Sequence, residues 1–254
     1  LYTALAADRL VFNSNYNQQT FLKGVETFLS KMPDAVPAGI VDELAARSTV
    51  IPVPLADDGF AAAQTNKTDE LTIVWNHRWE YDKAPEIFFR ALQLLMERKV
   101  AFRVYMLGQV FRTVPDMFTE MRELLGEHVG QWGGVESRES YRNYLQQAHL
   151  VVSTARHDFQ GLAVLEGVAA GCIPLVPDRL VYPEWFSPDY LYPSTLNDSE
   201  RESQQLAEKL TSLAIMLETD QLPAIPDISH MSWSVLQGPY RQAIDELGII
   251  EKEV

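Results

Sequence analysis

The sequence predicts an α/β protein built on a doubly wound parallel sheet, and two observations support this fold class. Short apolar runs alternate with segments of helical periodicity, which is typical of successive βαβ units. The apolar runs are continuous and do not alternate with polar residues, as expected of parallel strands that are covered on both faces. The pattern predicts strands at 71–75, 101–108, 129–132, 150–154, 173–177 and 190–193, and helices at 85–99, 115–125, 137–148, 161–171 and 199–217.

The two ends of the chain do not follow this alternation. The first 70 residues predict one strand, a turn at 13–15, one helix and a second short strand near residue 50, which together cannot bury a core. We therefore expect the start of a longer protein to be missing. The expected organisation is the last part of a first domain at 1–55, a linker at 56–70, a complete domain at 71–230 and a C-terminal helix at 231–254 that packs back on the first domain.

Within that last segment, Gly238 and Pro239 are expected to interrupt the helix.

Composition limits the function classes. Apolar residues make up 46% of the chain and charged residues 22%, as in ordinary globular proteins. The single cysteine, Cys172, cannot form an intrachain disulfide and is expected in the core. The net charge of −14 is spread along the chain and no segment is basic, so a large nucleic-acid footprint on this chain is not expected. With no apolar run of eighteen residues and no charged leader, we expect a cytoplasmic protein.

Glu166 is the most unusual residue, because it is a lone carboxylate in the apolar stretch "GLAVLEGVAAGC". A buried carboxylate needs a partner. In a doubly wound sheet, ligands bind where strands end and helices begin, and the predicted helix near Gly161 offers N–H groups and a positive dipole end to a phosphate. Glu166 lies about one and a half turns into that helix and leans back toward its start, so it can accept hydrogen bonds from two vicinal ribose hydroxyls.

Two cations follow the first predicted strand of the larger domain. The stretch "WNHRWEYDKAPE" supplies Arg78, which can fork across phosphate oxygens, and Lys83, which acts as a point charge. Such a pair suits a diphosphate that leaves during a reaction. The residues alone therefore predict a nucleotide diphosphate site.

A family resemblance sharpens this prediction. Asp158 and Glu166 are eight apart with Gly161 between them, which resembles the E-x7-E motif of the retaining GT-B glycosyltransferases of group 1, whose first loop carries a matching Arg and Lys. Longer stretches across 8–193, among them "FNSNYNQQTFL" and "WNHRWEYDKAPEIFF", are similar to the glycosyltransferase-like group that includes the tRNA-queuosine α-mannosyltransferases. The resemblance implies a GT-B fold, with a Rossmann-like nucleotide-binding domain preceded by the end of a first Rossmann-like domain.

The resemblance also implies roles for individual residues. Glu166 would bind the donor ribose, Asp158 the sugar hydroxyls, and Arg78 with Lys83 the diphosphate, and these four form the expected catalytic set. The expected substrate-binding residues are Phe159, Gln160, Gly161 and Leu162, which use backbone amides, Val135 near the base, and His157. Asp158 stands where the family has Glu, and Gln160 stands where it has an aromatic or small residue.

The implied reaction transfers mannose from GDP-mannose to an acceptor hydroxyl with retention, without a metal or cofactor. The implied acceptor is queuosine in tRNA, and the partner domain is the N-terminal half of the same protein. Two other functions stay open: a nucleotide-sugar epimerase of the same architecture, and a nucleotide-binding fragment that is inactive without the N-terminal half.

Several residues also have a structural interpretation. Arg78 and Lys83 fit a solvated loop pair, Glu166 fits a partner of a distant arginine, and Asp158 fits the N-cap of the helix. His77 and His157 fit structural histidines. The aromatic residues Trp75, Trp79 and Tyr81 fit either packing between domains or stacking on a sugar.

Overall fold

The chain forms two compact units in the computed structural model, which describes residues 1–33, 37–60, 67–108 and 115–247. Unit 1 comprises Leu1–Asp57 and the segment that begins at His230, and unit 2 comprises Asp58–Ser229. The elements in chain order are α1 Tyr2–Ala6, β1 Leu10–Phe12, α2 Asn15–Leu29, α3 Ile40–Ala46, β2 Ser48–Val50, β3 Leu71–Trp75, α4 Pro85–Glu97, β4 Phe102–Leu107, α5 Asp116–Leu125, β5 Val129–Gly133, α6 Arg138–Gln147, β6 Leu150–Val152, α7 Leu162–Ala169, β7 Ile173–Pro177, α8 Tyr182–Trp185, β8 Leu191–Tyr192, α9 Ser199–Glu218 and α10 Trp233–Asp245.

Unit 2 has the predicted doubly wound topology. Its described strands form one parallel sheet in the order β5-β4-β3-β6-β7-β8, so the chain builds outward from β3 on one side and then from β6 on the other. The direction of winding reverses between β3 and β6, which pair through Ile73 with Leu150. In open α/β sheets this switch point is where the loops diverge and a ligand crevice forms.

The core of unit 2 contains residues that the sequence left open as ligand contacts. Trp75 is the last residue of β3 and is fully buried, and the Trp79 ring stacks on Phe118 at 4.2 Å between centroids. Both suggested roles for Trp75 and Trp79, packing between domains and sugar stacking, are wrong, because these rings complete the hydrophobic core under the sheet edge. Tyr81 is exposed.

Unit 1 contains two helices that the sequence did not predict, α1 and α3. The short parallel strands β1 and β2 pair through Val11 and Thr49. Ala4 of α1, Val25 of α2 and Leu44 of α3 form a small buried cluster. Both missed helices are short, and a single buried residue ties each of them to this cluster.

The predicted break at Gly238–Pro239 is wrong, because α10 runs without interruption from Trp233 to Asp245. A proline at 239 removes the hydrogen bond that would go to the carbonyl of Val235. Val235 is exposed, so water can satisfy that carbonyl, while Leu236 and Ala243 of the same helix are buried. Part of the predicted linker, 61–66, and the end of the predicted C-terminal segment, 248–254, lie outside the described residues. Among the described helices, none is long and apolar enough to span a membrane.

The contact between α7 and β6 depends on a glycine. A Cβ added at Gly167 would lie 2.7 Å from the Cβ of Val151, whereas one added at Gly24, also inside a helix, would meet nothing within 4 Å. We expect Gly167→Ala to lower the free energy of unfolding by about 1–3 kcal/mol through overpacking. Gly24→Ala should instead raise it by about 0.5–1 kcal/mol. Urea unfolding of both variants measures these two changes in free energy, and equal changes would contradict the prediction.

Candidate active site

The predicted site residues lie around the switch point of unit 2. The loop after β3 carries 76–84 and the loop after β6 carries 153–161, and both leave the sheet at the carboxyl ends of adjacent strands. A cleft of about 550 Å³ opens at this edge. Its lining residues come from the ends of β3, β4 and β5 and from α6: Asn76, His77, Arg78, Gly108, Gly134, Val135 and Tyr141.

The two predicted cations lie in different environments. Lys83 is 8% exposed, and its Nζ donates to the backbone carbonyl of His157 at 2.7 Å. The same Nζ lies 3.5 Å from Asp82 Oδ2 and 3.6 Å from Asp158 Oδ2. The Arg78 side chain is 54% exposed and pairs only with Glu80, at 3.1 Å, among the described residues. The solvated-pair interpretation therefore fits Arg78 and fails for Lys83.

Asp158 is held by a buried tyrosine. The hydroxyl of Tyr182 donates to Asp158 Oδ2 at 2.9 Å and lies 2.7 Å from Ser153 Oγ. Burial, with a smaller contribution from the Asp158 carboxylate, raises the pKa of Tyr182 far above its usual range, so this hydroxyl keeps its proton and remains a donor.

Helix α7 begins at a glycine that has no side chain to cap it. Its N-cap is Gly161, in the left-handed conformation with φ +73°, which glycine adopts at little cost. Asp158 is therefore not the N-cap, and that interpretation is wrong. The N–H groups of the first turn of α7 have no partners within the helix, which suits them to an anion.

Glu166 is half-buried, and its partner is a tyrosine. The hydroxyl of Tyr141 donates to Glu166 Oε2 at 2.8 Å and accepts from Asn76 Nδ2, also at 2.8 Å. Asn76 Nδ2 donates in addition to the carbonyl of Ala163 in α7, at 2.7 Å. Burial and the adjacent carboxylate raise the pKa of Tyr141, so it too stays protonated. No arginine contacts Glu166 within the described part of the chain.

A buried ion pair fixes the start of the β6 loop. Arg179 Nη1 donates to Glu202 Oε1 at 2.6 Å, and both side chains are almost fully buried. The remaining Arg179 nitrogens donate to the carbonyl of Ala155 at 2.9 Å and to that of Thr154 at 3.0 Å. The backbone that leads to Asp158 is thus anchored to α9.

His77 forms part of the cleft wall as a neutral imidazole. Burial lowers its pKa to about 4, although the charge of Asp158 opposes that shift. Its ring meets Trp75 edge-on at 5.0 Å, and its Nε2 has no hydrogen-bond partner among the described residues. A neutral histidine does not add positive charge for a diphosphate.

The other predicted substrate-binding residues are arranged along the same two loops. Val135 lines the cleft beyond β5, and His157 is exposed while its carbonyl accepts from Lys83. The carbonyl of Gln160 accepts from Trp185 Nε1 at 3.0 Å, so a side chain of α8 holds the loop backbone at Gln160. Phe159 and Leu162 are exposed.

The sequence interpretation missed Asn76, Tyr141 and Tyr182. Asn76 is the first residue after β3 and Tyr141 lies in the first turn of α6, so their place at the carboxyl edge of the sheet was a usable signal. Tyr182 lacks such a signal, because it lies one strand further along the chain in α8.

Metal ligands and a reactive thiol are not found in the part of the chain that the structure describes. No three His, Cys, Asp or Glu side chains cluster there as metal ligands. Cys172 is fully buried as predicted, and burial raises its pKa to about 12, so it is an unreactive thiol.

Comparison with known proteins identifies the family. Residues 58–220 match the family described as glycosyl transferases group 1. The chain belongs to this family. Residues 1–55 match a second family, described as the N-terminal part of tRNA-queuosine alpha-mannosyltransferase.

Two curated relatives of this group 1 chain are matched over part of their length. It is 34% identical over 201 residues to the tRNA-queuosine alpha-mannosyltransferase of Drosophila melanogaster, covering 76% of this chain and 53% of the relative. It is 27% identical over 118 residues to the GDP-mannose:cellobiosyl-diphosphopolyprenol alpha-mannosyltransferase of Xanthomonas oryzae, covering 46% of this chain and 31% of the relative. The chain thus spans about half the length of the Drosophila protein and a third of the Xanthomonas protein.

Solved structures confirm the GT-B fold. TarM of S. aureus aligns with a TM-score of 0.63 at 15% identity, over 96% of this chain and 44% of its own. Alr3699/HepE of Anabaena aligns with a TM-score of 0.62 at 11% identity, over 94% of this chain and 64% of its own. The identities are low, so these structures support the fold alone.

The buried ion pair gives a stability prediction with a control on the same helix. Glu202→Ala should lower the free energy of unfolding by about 3–5 kcal/mol, because it leaves the Arg179 charge buried without its partner. Glu200→Ala removes an exposed carboxylate that pairs with Arg90 and should change the free energy of unfolding far less. Urea unfolding of the two variants measures both values, and a small loss for Glu202→Ala would show that Arg179 is solvated.

His77 gives a pH prediction. The unfolded chain binds a proton on this imidazole as the pH falls below 6.5, while the folded chain does so only near 4, so acid favours unfolding between these values. At pH 5 the contribution to lost stability is about 2 kcal/mol. Urea unfolding at pH 7.5 and pH 5 should therefore show a loss for the parent chain that His77→Gln reduces by about that amount. An equal loss in the two proteins would refute the assignment.

Proposed function

We propose that the protein is a retaining glycosyltransferase that transfers mannose from GDP-mannose to a hydroxyl of queuosine in tRNA. The observation that carries this proposal is the edge of unit 2 where the β3 and β6 loops meet. Two carboxylates with one oxygen each held by a tyrosine, a buried lysine and an uncapped helix start lie at this edge, next to a cleft that the exposed Arg78 lines.

The parts of this edge complement the parts of a nucleotide sugar. The first turn of α7 and the Arg78 guanidinium suit the diphosphate, because both present donors and positive charge. Glu166 and Asp158 suit hydroxyl groups, because ionised carboxylates only accept hydrogen bonds. In the transfer step the bond from the anomeric carbon to the diphosphate oxygen breaks, a bond to the acceptor oxygen forms, and the acceptor hydroxyl proton passes to the departing diphosphate. The same donors stabilise the charge on this leaving group without a metal ion.

The names of the relatives support the identity of the substrates. The Drosophila relative is named for tRNA-queuosine and alpha-mannose, and residues 1–55 match the family described as its N-terminal part. The Xanthomonas relative is named for GDP-mannose. Membership in the group 1 family favours transfer over the epimerase alternative. The chain carries a net charge of −14, so the proposal places the basic surface for tRNA on the N-terminal half of the protein. The relative named for tRNA-queuosine supports a proposed cytoplasmic location.

A thermal melting screen against GDP, UDP, ADP and their sugars tests the donor. GDP and GDP-mannose should raise the melting temperature, because a ligand at 100 times its Kd stabilises the folded state by about 2.7 kcal/mol. A shift with UDP alone would contradict the mannosyl donor and leave sugar transfer intact. If no nucleoside diphosphate shifts the transition, the proposed site is wrong. The acceptor is tested by transfer of labelled mannose from GDP-mannose to tRNA with and without queuosine, using the full-length protein.

The role of Arg78 is tested with a matched arginine at the opposite end of the sheet. Arg78 pairs with Glu80 at 3.1 Å, and Arg103, at the amino end of β4, pairs with Glu70 at 3.2 Å. Arg78→Gln should weaken GDP binding about tenfold or more, since it removes charge-assisted hydrogen bonds, while Arg103→Gln should leave binding unchanged. Without ligand, the free energy of unfolding of both variants should lie within about 0.5 kcal/mol of the parent value. Isothermal titration with GDP gives the affinities, and equal affinities for the two variants would remove Arg78 from the site.

A further inference from the structure

The two motif carboxylates share an arrangement that neither the motif nor the family match assigns. Tyr141 donates to one oxygen of Glu166, and Tyr182 donates to one oxygen of Asp158. The second oxygens, Glu166 Oε1 and Asp158 Oδ1, make no hydrogen bond with any described residue. Each carboxylate is therefore fixed on one side and available on the other.

Each tyrosine is itself held in place by a second polar side chain. Asn76 Nδ2 donates to the Tyr141 hydroxyl, and the Ser153 hydroxyl lies 2.7 Å from that of Tyr182. A tyrosine hydroxyl has one proton to donate, so the proton that Tyr182 gives to Asp158 requires Ser153 to be the donor in the second bond. The result is two chains of hydrogen bonds, Asn76–Tyr141–Glu166 and Ser153–Tyr182–Asp158, each of which ends at one motif carboxylate.

We infer that Tyr141 and Tyr182 are positioning residues of the donor site, each orienting one carboxylate so that its second oxygen accepts hydrogen bonds from donor hydroxyls. This inference rests on the proposed function, in which Glu166 meets the ribose and Asp158 meets the sugar. Tyr141 then acts on binding of the nucleoside diphosphate, and Tyr182 acts on the sugar that the nucleotide carries.

The two chains differ in a way that agrees with this division. Tyr141 lines the cleft beside Arg78 and Val135, on the side of the sheet formed by β4 and β5. Tyr182 is fully buried beneath the β6 loop, where Asp158 also lies 3.6 Å from Lys83. Tyr141 thus lies at the cleft, and Tyr182 contacts the loop that leads into α7.

The test compares three tyrosine-to-phenylalanine variants against three ligands by isothermal titration. The ligands are GDP, 2′-deoxy-GDP and GDP-mannose, and the variants are Tyr141→Phe, Tyr182→Phe and the control Tyr144→Phe. Tyr144 lies in the same helix as Tyr141, and its hydroxyl donates to Gln131 Oε1 at 3.3 Å, outside the set of cleft-lining residues. Each change removes one hydroxyl and keeps the ring, and melting without ligand verifies that each variant folds.

We expect Tyr141→Phe to weaken GDP binding about tenfold, because it removes a hydrogen bond to the charged carboxylate that reads the ribose. It should weaken 2′-deoxy-GDP less than GDP, because one of the two ribose hydroxyls that Glu166 would bind is already missing. Tyr182→Phe should leave GDP unchanged and weaken GDP-mannose about tenfold. Tyr144→Phe should change none of the three.

A merely structural role gives a different pattern. If Tyr141→Phe weakens GDP and 2′-deoxy-GDP by the same factor, or weakens neither, Tyr141 does not act through ribose recognition and the inference fails. The inference also fails for Tyr182 if its variant binds GDP and GDP-mannose with equally reduced affinity or binds both normally. Should a variant not fold, Asn76→Ser and Ser153→Ala remove the support of the same hydroxyls, and each should show the same selectivity in weaker form.

The outcome for the parent chain separates this inference from the proposed function. If the parent binds neither GDP nor GDP-mannose, the proposed donor is wrong. If the parent binds both and the variants show no selectivity, the donor stands and the tyrosines have no positioning role.

Discussion

The buried pair of Arg179 with Glu202 is the interaction on which the site depends. The Arg179 guanidinium bonds the carbonyls of Thr154 and Ala155, where β6 has ended and the loop toward Asp158 begins. Such a cation is tolerated in the interior only because the Glu202 carboxylate neutralises it and in turn accepts from the backbone N–H of Thr195 at 2.9 Å. One contact therefore ties α9, the segment after β8 and the β6 loop into a single rigid support. The position of Asp158 and the start of α7 are consequences of that support.

The topology explains why the chemistry collects at this edge. The winding of the sheet reverses between β3 and β6, so the loops that follow these adjacent strands lead into helices on opposite faces and leave a crevice between them. Lys83 at the end of the β3 loop bonds the carbonyl of His157 in the β6 loop, and Thr154 Oγ1 donates to the carbonyl of Lys83 at 2.7 Å. These reciprocal bonds join the two loops at the carboxyl edge of the sheet.

The sequence was sufficient for the sheet and for the charged residues of the site, because both leave local signals. Strands β3 to β7 and helices α4 to α7 lie where continuous apolar runs and helical periodicity predicted them, and Glu166 stood out in an apolar stretch. The partners of the carboxylates were not predictable, because Tyr141 and Tyr182 are 25 and 24 residues away along the chain from the groups they contact. The burial of Trp79 in the core was not predictable for the same reason. Tertiary structure also sets the exposure of Val235, and that exposure decides whether the proline at 239 breaks α10.

The charges around Lys83 distinguish its environment from that of Arg78. The Lys83 ammonium lies within 3.6 Å of both Asp82 and Asp158, so one positive charge faces two negative ones. A diphosphate that approached this cluster would meet no net positive charge, and His77 beside it is neutral. Under the proposed function, the attraction for the diphosphate would therefore come mainly from Arg78, which is exposed, and from the first turn of α7. Lys83 joins the two loops through the His157 carbonyl and Asp158, so under the proposed function the affinity for the donor and the shape of its site would depend on different cations.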